Sequence, residues 1–421
     1  MNDSLQVTLF DQPIGALAIT GARSPEDWQF TYQPGYLALS TPVPLSVALP
    51  VQTDAYQGAA VRNWFCNLLP EGGVREAITA RLRIAPGDDF ALLAAIGGEC
   101  AGAVSVQSPG PRGELSQPAE GDLETLLHLQ GDNAGEGAWA LLGTPLRLSL
   151  AGAQDKIAVI AGPDGRLRLP GRDEISTHIL KPDSRRFRGL RDLEALGLAL
   201  ARTIGLPVAA SRPVDVMGRP ALLIERYDRD MEGSHVQRLH QEDFCQALGY
   251  PSEMKYESQG GPGLAQCSAL IRQLALGPAA VQGLLDWAVF NALIGNADAH
   301  AKNLALLCDR QGHRRLARFY DLVPTIVLPE SLVERAPALR IGAAARIERV
   351  TAEDWRTFAA ESRYAPRFVL NRVVAMADAL QDCLDAVGGS LVEQGCDGGG
   401  MANATRLLGN HVRQLQALAS A

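Results

Sequence analysis

The stretch LIGNADAHAKN, residues 293–303, gathers Asn296, Asp298, His300, Lys302 and Asn303 within eight positions. A carboxylate this close to an imidazole, an ammonium and two carboxamides can accept a proton and help hold a cation. It can equally cap backbone groups in a polar turn. Asp298 and Asn303 are five apart, between an apolar helical pattern and the strand-like LALL. That is the spacing of the catalytic loop of protein kinases, where the Asp accepts the proton of the substrate hydroxyl and the Asn holds magnesium. Lys302 adds a cation able to neutralise a transferring phosphate. A helix-to-strand turn capped by Asn and Asp has the same composition. A metal site built on Asp298 and His300 is a third reading, but it needs more ligands, and His178, His240 and His313 stand in no ligand-like context.

Further residues fall in the order that phosphoryl transfer would need. Asp321, in RLARFYDLVPT, ends a short strand eighteen residues after Asn303, a rigid place for a second magnesium ligand; an Asp in a turn before Pro is the plain alternative. Lys181 lies in the strand pattern THILK, and Glu194 follows thirteen residues later on a helix. This is the order of the kinase ion pair that orients nucleotide phosphates, although a strand-end Lys can also reach back to water. SLAGAQDK, residues 149–156, reads as a turn between strands with a single glycine, expected to be a phosphate loop or an ordinary hairpin. Glu225, Arg226 and Tyr227 leave a strand where a hinge could hydrogen-bond adenine, or where a strand merely ends in charge. The segment 239–263 ends in a polar, Gly-rich loop that is either substrate-facing or a surface connection. RRFRGLR, 185–191, carries four arginines that could meet phosphate or stay solvated.

The elements that must position these residues change along the chain. Residues 5–51 read as short strands and turns, with turns expected at DQPIG and at the Gln-Pro-Gly of WQFTYQPGYLALS. Helical spacing follows in VRNWFCNLLP and GVREAITARLRI. The Pro/Gly/Ser-rich stretch 107–118 marks a linker. Strands around a Pro-Asp-Gly turn, then THILKP, a helix over DLEALGLALARTIGL and the strand PALLIE lead to a long helical part. VGGSLVEQGCDGGG, 387–400, reads as a flexible break between the last two helices. The expected division is a β-rich unit at 1–106, a linker at 107–118, a strand-rich lobe at 119–230 and a helical lobe at 231–421. With 421 residues, 47% of them hydrophobic, there is material for large cores. The balance of 39 Lys and Arg against 47 Asp and Glu does not advertise a surface for nucleic acid or membranes. Seven scattered cysteines without a CxxC pair argue against a disulfide frame or structural zinc and for a reducing cytosol. Neither a signal peptide nor an apolar run long enough to span a bilayer is legible, so a cytoplasmic location is expected.

Taken in order, LSLAGAQDK, THILKP, LIERYDR, QEDFCQALG, KYESQGGPG, NADAHAKN and FYDL resemble the HipA family, serine/threonine kinases that act as toxins of bacterial toxin–antitoxin pairs. The likeness runs from about Ser149 to about Thr325, and NWFCNLLPEGG looks like the family's β-rich N-terminal subdomain. The resemblance implies an α+β, bilobal protein-kinase-like fold with a mostly helical C-terminal lobe, using ATP and Mg2+. By motif position, Asp298 would be the catalytic base with Lys302 beside it. Ala151, Gly152, Ala153, Gln154, Asp155 and Lys156 would form the phosphate loop, and Lys181 would bind phosphate. Glu225, Arg226 and Tyr227 would lie at the hinge, and Asn303 and Asp321 would hold magnesium. His300 joins the ATP site by position, with bracing of the loop as its other reading. Ser149 matches the family's autophosphorylated serine. The implied partners are a HipB-type DNA-binding antitoxin, with DNA met mainly through that complex, and an aminoacyl-tRNA synthetase as substrate, glutamyl-tRNA synthetase in the best-known case. A catalytically weak, kinase-like co-repressor is the alternative.

Overall fold

Alternating buried and open positions along β1 (Ser4–Leu9) and β2 (Gln12–Ile19) make an antiparallel hairpin. Phe10 and Asp11 turn it with φ of 52° and 64°, as a two-residue hairpin requires. The computed structural model describes residues 4–21, 24–108, 123, 156–171, 174–184, 187–232 and 235–421. DQPIG, expected as a turn, belongs mostly to β2, because the register slips at Val7/Thr8 opposite Pro13. A bulge there lets a residue without an N–H sit in the strand. The Gln-Pro-Gly stretch likewise does not separate two strands. After β3 (Trp28–Tyr32), Pro34 starts the short helix α1 (Pro34–Leu37), a position where its missing N–H costs nothing.

β4 (Tyr56–Gln57) and β5 (Val104–Gln107) complete an antiparallel sheet in the order β4-β3-β2-β1-β5. Between those two strands run α2 (Ala59–Cys66), α3 (Gly72–Leu82) and α4 (Asp89–Ile96). Trp28, Phe30, Trp64, Phe65 and Leu93 fill one core there, with Phe30 edge-on to Tyr32 at 4.8 Å between centroids.

A second antiparallel sheet, β7-β6-β8-β10-β9, is built from β6 (Ile157–Ala161), β7 (Leu167–Arg168), β8 (His178–Pro182), β9 (Ser211–Val216) and β10 (Arg219–Glu225). Its strands have opposed duties on opposite faces. Leu180, Ala221 and Leu223 pack in a small core, while Ile179, Lys181 and Ile224 face a large cleft. α5 (Leu190–Thr203) packs beneath β9 and β10.

Beyond the two-stranded ribbon of β11 (Arg229–Glu232) and β12 (His235–Arg238), the chain enters β13 (His240–Asp243) and α6 (Phe244–Leu248). α7 (Leu264–Gln273) and α8 (Pro278–Leu293) follow. β14 (Ala305–Cys308) and β15 (Arg314–Leu316) close the sheet β13-β14-β15. α9 (Ala352–Glu361), α10 (Pro366–Glu393) and α11 (Gly398–Ser420) join α5, α7 and α8 around the largest core. The expected break at 387–400 shrinks to 394–397. Leu391 is buried and Gly388 lies against Thr405, so packing on α11 carries the helix through a Gly-rich sequence. Among the described residues no helix is long and apolar enough to cross a membrane.

Candidate active site

Strand register, helix packing and one strained residue build the centre of the cleft. β8 holds Lys181 opposite Leu222 of β10, and its Nζ donates to Glu194 Oε1 at 2.7 Å and to Asp321 Oδ1. Burial works against the ammonium, but the two carboxylates outweigh it and hold the Lys181 pKa above its ordinary value. Burial pushes Glu194 up to about 7. It pushes Asp321 in the same direction, yet Lys181 and Lys156 prevail and keep that carboxyl below its usual range. Asp321 has φ 54°, a left-handed backbone that a non-glycine residue adopts only under constraint. α5 brings Glu194 this close because position 197 is glycine: a Cβ there would lie 1.8 Å from Leu322 O.

The loop after α8 is laced to the Asp321 segment by side chains. Asn296 Nδ2 donates to Asn291 Oδ1 at 2.8 Å and to Asp321 O at 3.2 Å. Thr325 Oγ1 donates to Gly295 O and accepts from the Ala297 N–H. Asp298 emerges exposed from this frame. Its backbone carbonyl accepts from Asn303 Nδ2 at 3.3 Å and its carboxylate from Tyr256 Oη at 2.8 Å. His300 is buried edge-on to Tyr256, 5.4 Å between centroids. Among the described residues its Nδ1 has no hydrogen-bond partner, and burial lowers its pKa to about 4, so the imidazole is neutral near pH 7.

One expected role is corrected by geometry. Lys302 was expected over a transferring phosphate, but its ammonium is buried and donates to Asn67 Oδ1 at 2.6 Å, with Glu71 Oε1 at 3.3 Å and Asp243 Oδ2 at 3.6 Å. A buried ammonium needs anionic partners, and here they lie behind the loop. Arg226, expected at a hinge that offers its backbone to adenine, lines the cavity, while its guanidinium is taken up by Asp228 at 2.9 and 2.7 Å and by Ser176 Oγ at 2.9 Å. Glu225 stays exposed at the end of β10, and the Tyr227 ring stacks on Tyr320, 5.3 Å away. Arg191, from the arginine run, is buried and pairs with Asp192 and the 395–396 turn. Ser149 and Ala151, Gly152, Ala153, Gln154 and Asp155 lie outside the described residues. Lys156 lines the cleft, its pKa lowered to about 8 by burial and by Lys181.

Lys181, Asp298, Asn303 and Asp321 thus share one cavity of about 850 Å³, a size ordinary for a nucleotide-scale ligand. Its wall is apolar at Ile179, Ala209 and Ile224. The oxygens of Asn303 and Asp321 are the hard donors that suit magnesium, which commonly takes only one or two protein ligands beside phosphate. Among the described residues no group of three or more His, Cys, Asp or Glu could hold a metal ion, so Asp298 and His300 acquire no further ligands of those types.

Residues 148–386 match the family model described as HipA-like C-terminal domain, and residues 5–107 match the HipA N-terminal domain. The chain belongs to the HipA family. "Putative kinase Y4mE" of Sinorhizobium fredii is 40% identical over 86% of this chain and 87% of its own length. The serine/threonine-protein kinase toxin HipA of Shewanella oneidensis is 30% identical over 76% and 75%. A solved Shewanella oneidensis structure of HipA with HipB and operator DNA contains a chain with a TM-score of 0.81, 24% identity and coverage of 99% and 98%. That likeness establishes the α+β, kinase-like fold, and this HipA-family chain is a kinase.

The sequence reading missed the side chains that tie the HipA N-terminal domain into the cleft. Asn67 and Glu71 lie in NWFCNLLPEGG, whose helical spacing and family likeness give no sign of these contacts. Tyr256 lies in the Gly-rich segment whose two readings stayed open; Lys255, Tyr256, Ser258 and Gln259 line the cavity.

Proposed function

We propose that this kinase transfers the γ-phosphoryl group of ATP, with magnesium, to a serine or threonine hydroxyl of a protein. The observation that carries the reading is the Lys181 ammonium shared by Glu194 and Asp321 in the cavity that Asp298 enters. Asp298 is the base: Tyr256 orients its carboxylate, which takes the acceptor hydroxyl's proton as the oxygen attacks. Lys181 binds nucleotide phosphate, with Glu194 fixing its position, and Asn303 and Asp321 hold magnesium. The ion, when bound, supplies neutralisation of developing phosphate charge. Residues 151–156 are assigned to the nucleotide phosphates on the family resemblance alone, and Glu225 and Tyr227 to the adenine hinge. Neutral His300 supports the loop and the phosphate side of the site.

By kinship with the Shewanella oneidensis toxin, we place the chain in the cytoplasm as a toxin held by a HipB-type antitoxin, meeting DNA through that partner. Its acceptor is an aminoacyl-tRNA synthetase of the glutamyl type. Phosphorylation of Ser149 switches it off, since a dianionic phosphate at the base of the phosphate loop competes with ATP for space and donors. Incubation with labelled ATP and magnesium should label the chain. Asp298→Ala should cut transfer by about 10²–10⁴-fold, and equal labelling of both would overturn the assignment. Phosphosite mapping on cell extract then identifies the acceptor.

A further inference from the structure

Glu71 enters the cleft from the N-terminal domain and pairs with one lysine of the catalytic loop and one of the polar segment that precedes α7. Its Oε2 accepts from Lys255 Nζ at 2.8 Å, and its Oε1 lies 3.3 Å from Lys302 Nζ. These two lysines sit on separate segments that flank Asp298. Lys255 immediately precedes Tyr256, whose hydroxyl holds the Asp298 carboxylate. Lys302 immediately precedes Asn303, whose carboxamide holds the Asp298 carbonyl. One carboxylate therefore gathers both supports of the base.

The surrounding contacts make this a rigid junction. Asn67 offers its carbonyl to Lys302 while its amide donates to Asn63 O at 2.8 Å and Tyr250 O at 2.9 Å. Asn63 Nδ2 reaches Gly249 O, and Gln246 Nε2 reaches Trp64 O. Glu71 itself is the residue before α3, so the helix fixes where its side chain starts. Lys302 has a second anion in Asp243, whereas among the described residues Lys255 pairs with Glu71 alone.

We propose that Glu71 is a positioning residue for phosphoryl transfer, through which the N-terminal domain completes the kinase site. The proposal rests on the kinase reading above. Glu71 acts through Lys255 and Lys302 on the geometry of Asp298, and leaves the nucleotide contacts at Lys181 and Asp321 alone. A shift of a base by an ångström is costly, so Glu71→Gln should lower kcat by about ten- to a hundredfold with little change in KM for ATP. Glu71→Asp, which keeps the charge, should restore part of the loss. Lys255→Met should add little to Glu71→Gln, since residues acting in one chain of contacts are not additive.

The full chain is tested first without turnover. Hydrogen exchange followed by mass spectrometry should show faster exchange over 296–304 in Glu71→Gln, with melting of the whole protein retained. Unchanged exchange there overturns the proposal whatever the activity. ATP transfer to the chain itself is then measured: a raised KM with unchanged kcat, or full additivity with Lys255→Met, also overturns it. An inactive wild type instead overturns the kinase reading, and the exchange result still decides the role of Glu71.

Discussion

Two buried clusters use the same residue types to opposite ends. In one, Lys181 meets Glu194 and Asp321; in the other, Arg226 and Arg229 meet Asp228 and Glu99, with Arg238 beside them. The arginine cluster is closed. Arg226 grips Asp228 with two nitrogens, and Arg229 reaches Glu99 at 2.9 Å and Ser176 O at 3.0 Å. Arg238 spends its donors on Gly102 O, Ser105 Oγ and Val104 O. Asp228 Oδ2 also accepts the Gly102 N–H, where φ is 75° and a Cβ would sit 2.4 Å from Gln241 N. The contacts of Arg229 with Glu99, of Asp228 with Gly102 and of Arg238 with Gly102, Ser105 and Val104 tie the N-terminal domain to the segment after β10. The lysine cluster is left open. Among the described residues Glu194 Oε2 has no hydrogen-bond partner, Asp321 is 35% exposed, and its backbone is strained. Unspent bonding capacity beside a cavity marks the cluster that can take a ligand; saturated capacity marks the one that holds the molecule together.

Lys181→Met should break the open cluster with the largest effect. Losing a preorganised cation at the phosphates should cost about 10²–10³-fold in transfer. The fold should persist, because Glu194 already sits near a pKa of about 7 and can take a proton when its partner goes. Steady-state kinetics beside a thermal melt check both halves. A collapse of stability with normal residual rate would put Lys181 in the structural class.

Glu99→Gln should do the reverse. Removing one partner of a buried pair leaves Arg229 under-compensated and should cost about 3 kcal/mol in chemical denaturation, with transfer per folded molecule unchanged. The pH dependence has a definite sign. Burial raises the carboxyls of Glu99 and Asp228, but the arginines outweigh it and hold both below their ordinary range. Their stabilisation is present above the unfolded values, about 4 to 4.5, and is lost as pH falls through that range toward the folded ones. Glu99→Gln should therefore flatten the fall in stability below about pH 4.5; an unaltered acid limb would remove Glu99 from the network.

What was legible in the sequence follows from distance along the chain. Lys181 and Glu194 are thirteen apart on one strand-helix unit, and the structure joins them at 2.7 Å. Asp298 and Asn303 share one loop, so their spacing carried information. Local patterns misled where packing decides. Gly388 reads as a break until α11 is laid against it, and Pro13 reads as a turn until a bulge gives it a place. Lys302 was given the right neighbourhood and the wrong direction, because a side chain's aim depends on partners such as Asn67, 235 residues away. The left-handed backbone of Asp321 has no sequence signal at all, since nothing about an Asp before Leu demands it.

Tyr256→Phe sharpens the comparison at its finest grain. Its hydroxyl donates to Asp298 Oδ1 across 42 residues of sequence, from the segment that could have been a surface loop. The bond belongs to the open side of the molecule: Asp298 is exposed, and burial and that carboxylate hold the Tyr256 phenol above its ordinary pKa, so it remains a donor at any working pH. Deleting a hydrogen bond to a charged group removes about 1.5 kcal/mol where the geometry is good, or roughly tenfold. Part of that loss returns when water replaces the hydroxyl at an exposed carboxylate, so a three- to tenfold fall in kcat is expected, as an order of magnitude. Stability should hardly move, because the ring keeps its edge contact with His300. A larger loss of stability than of kcat would mean that Tyr256 braces the loop as a wall, and that the orientation of Asp298 comes from the backbone of Asn296 to Asn303 alone.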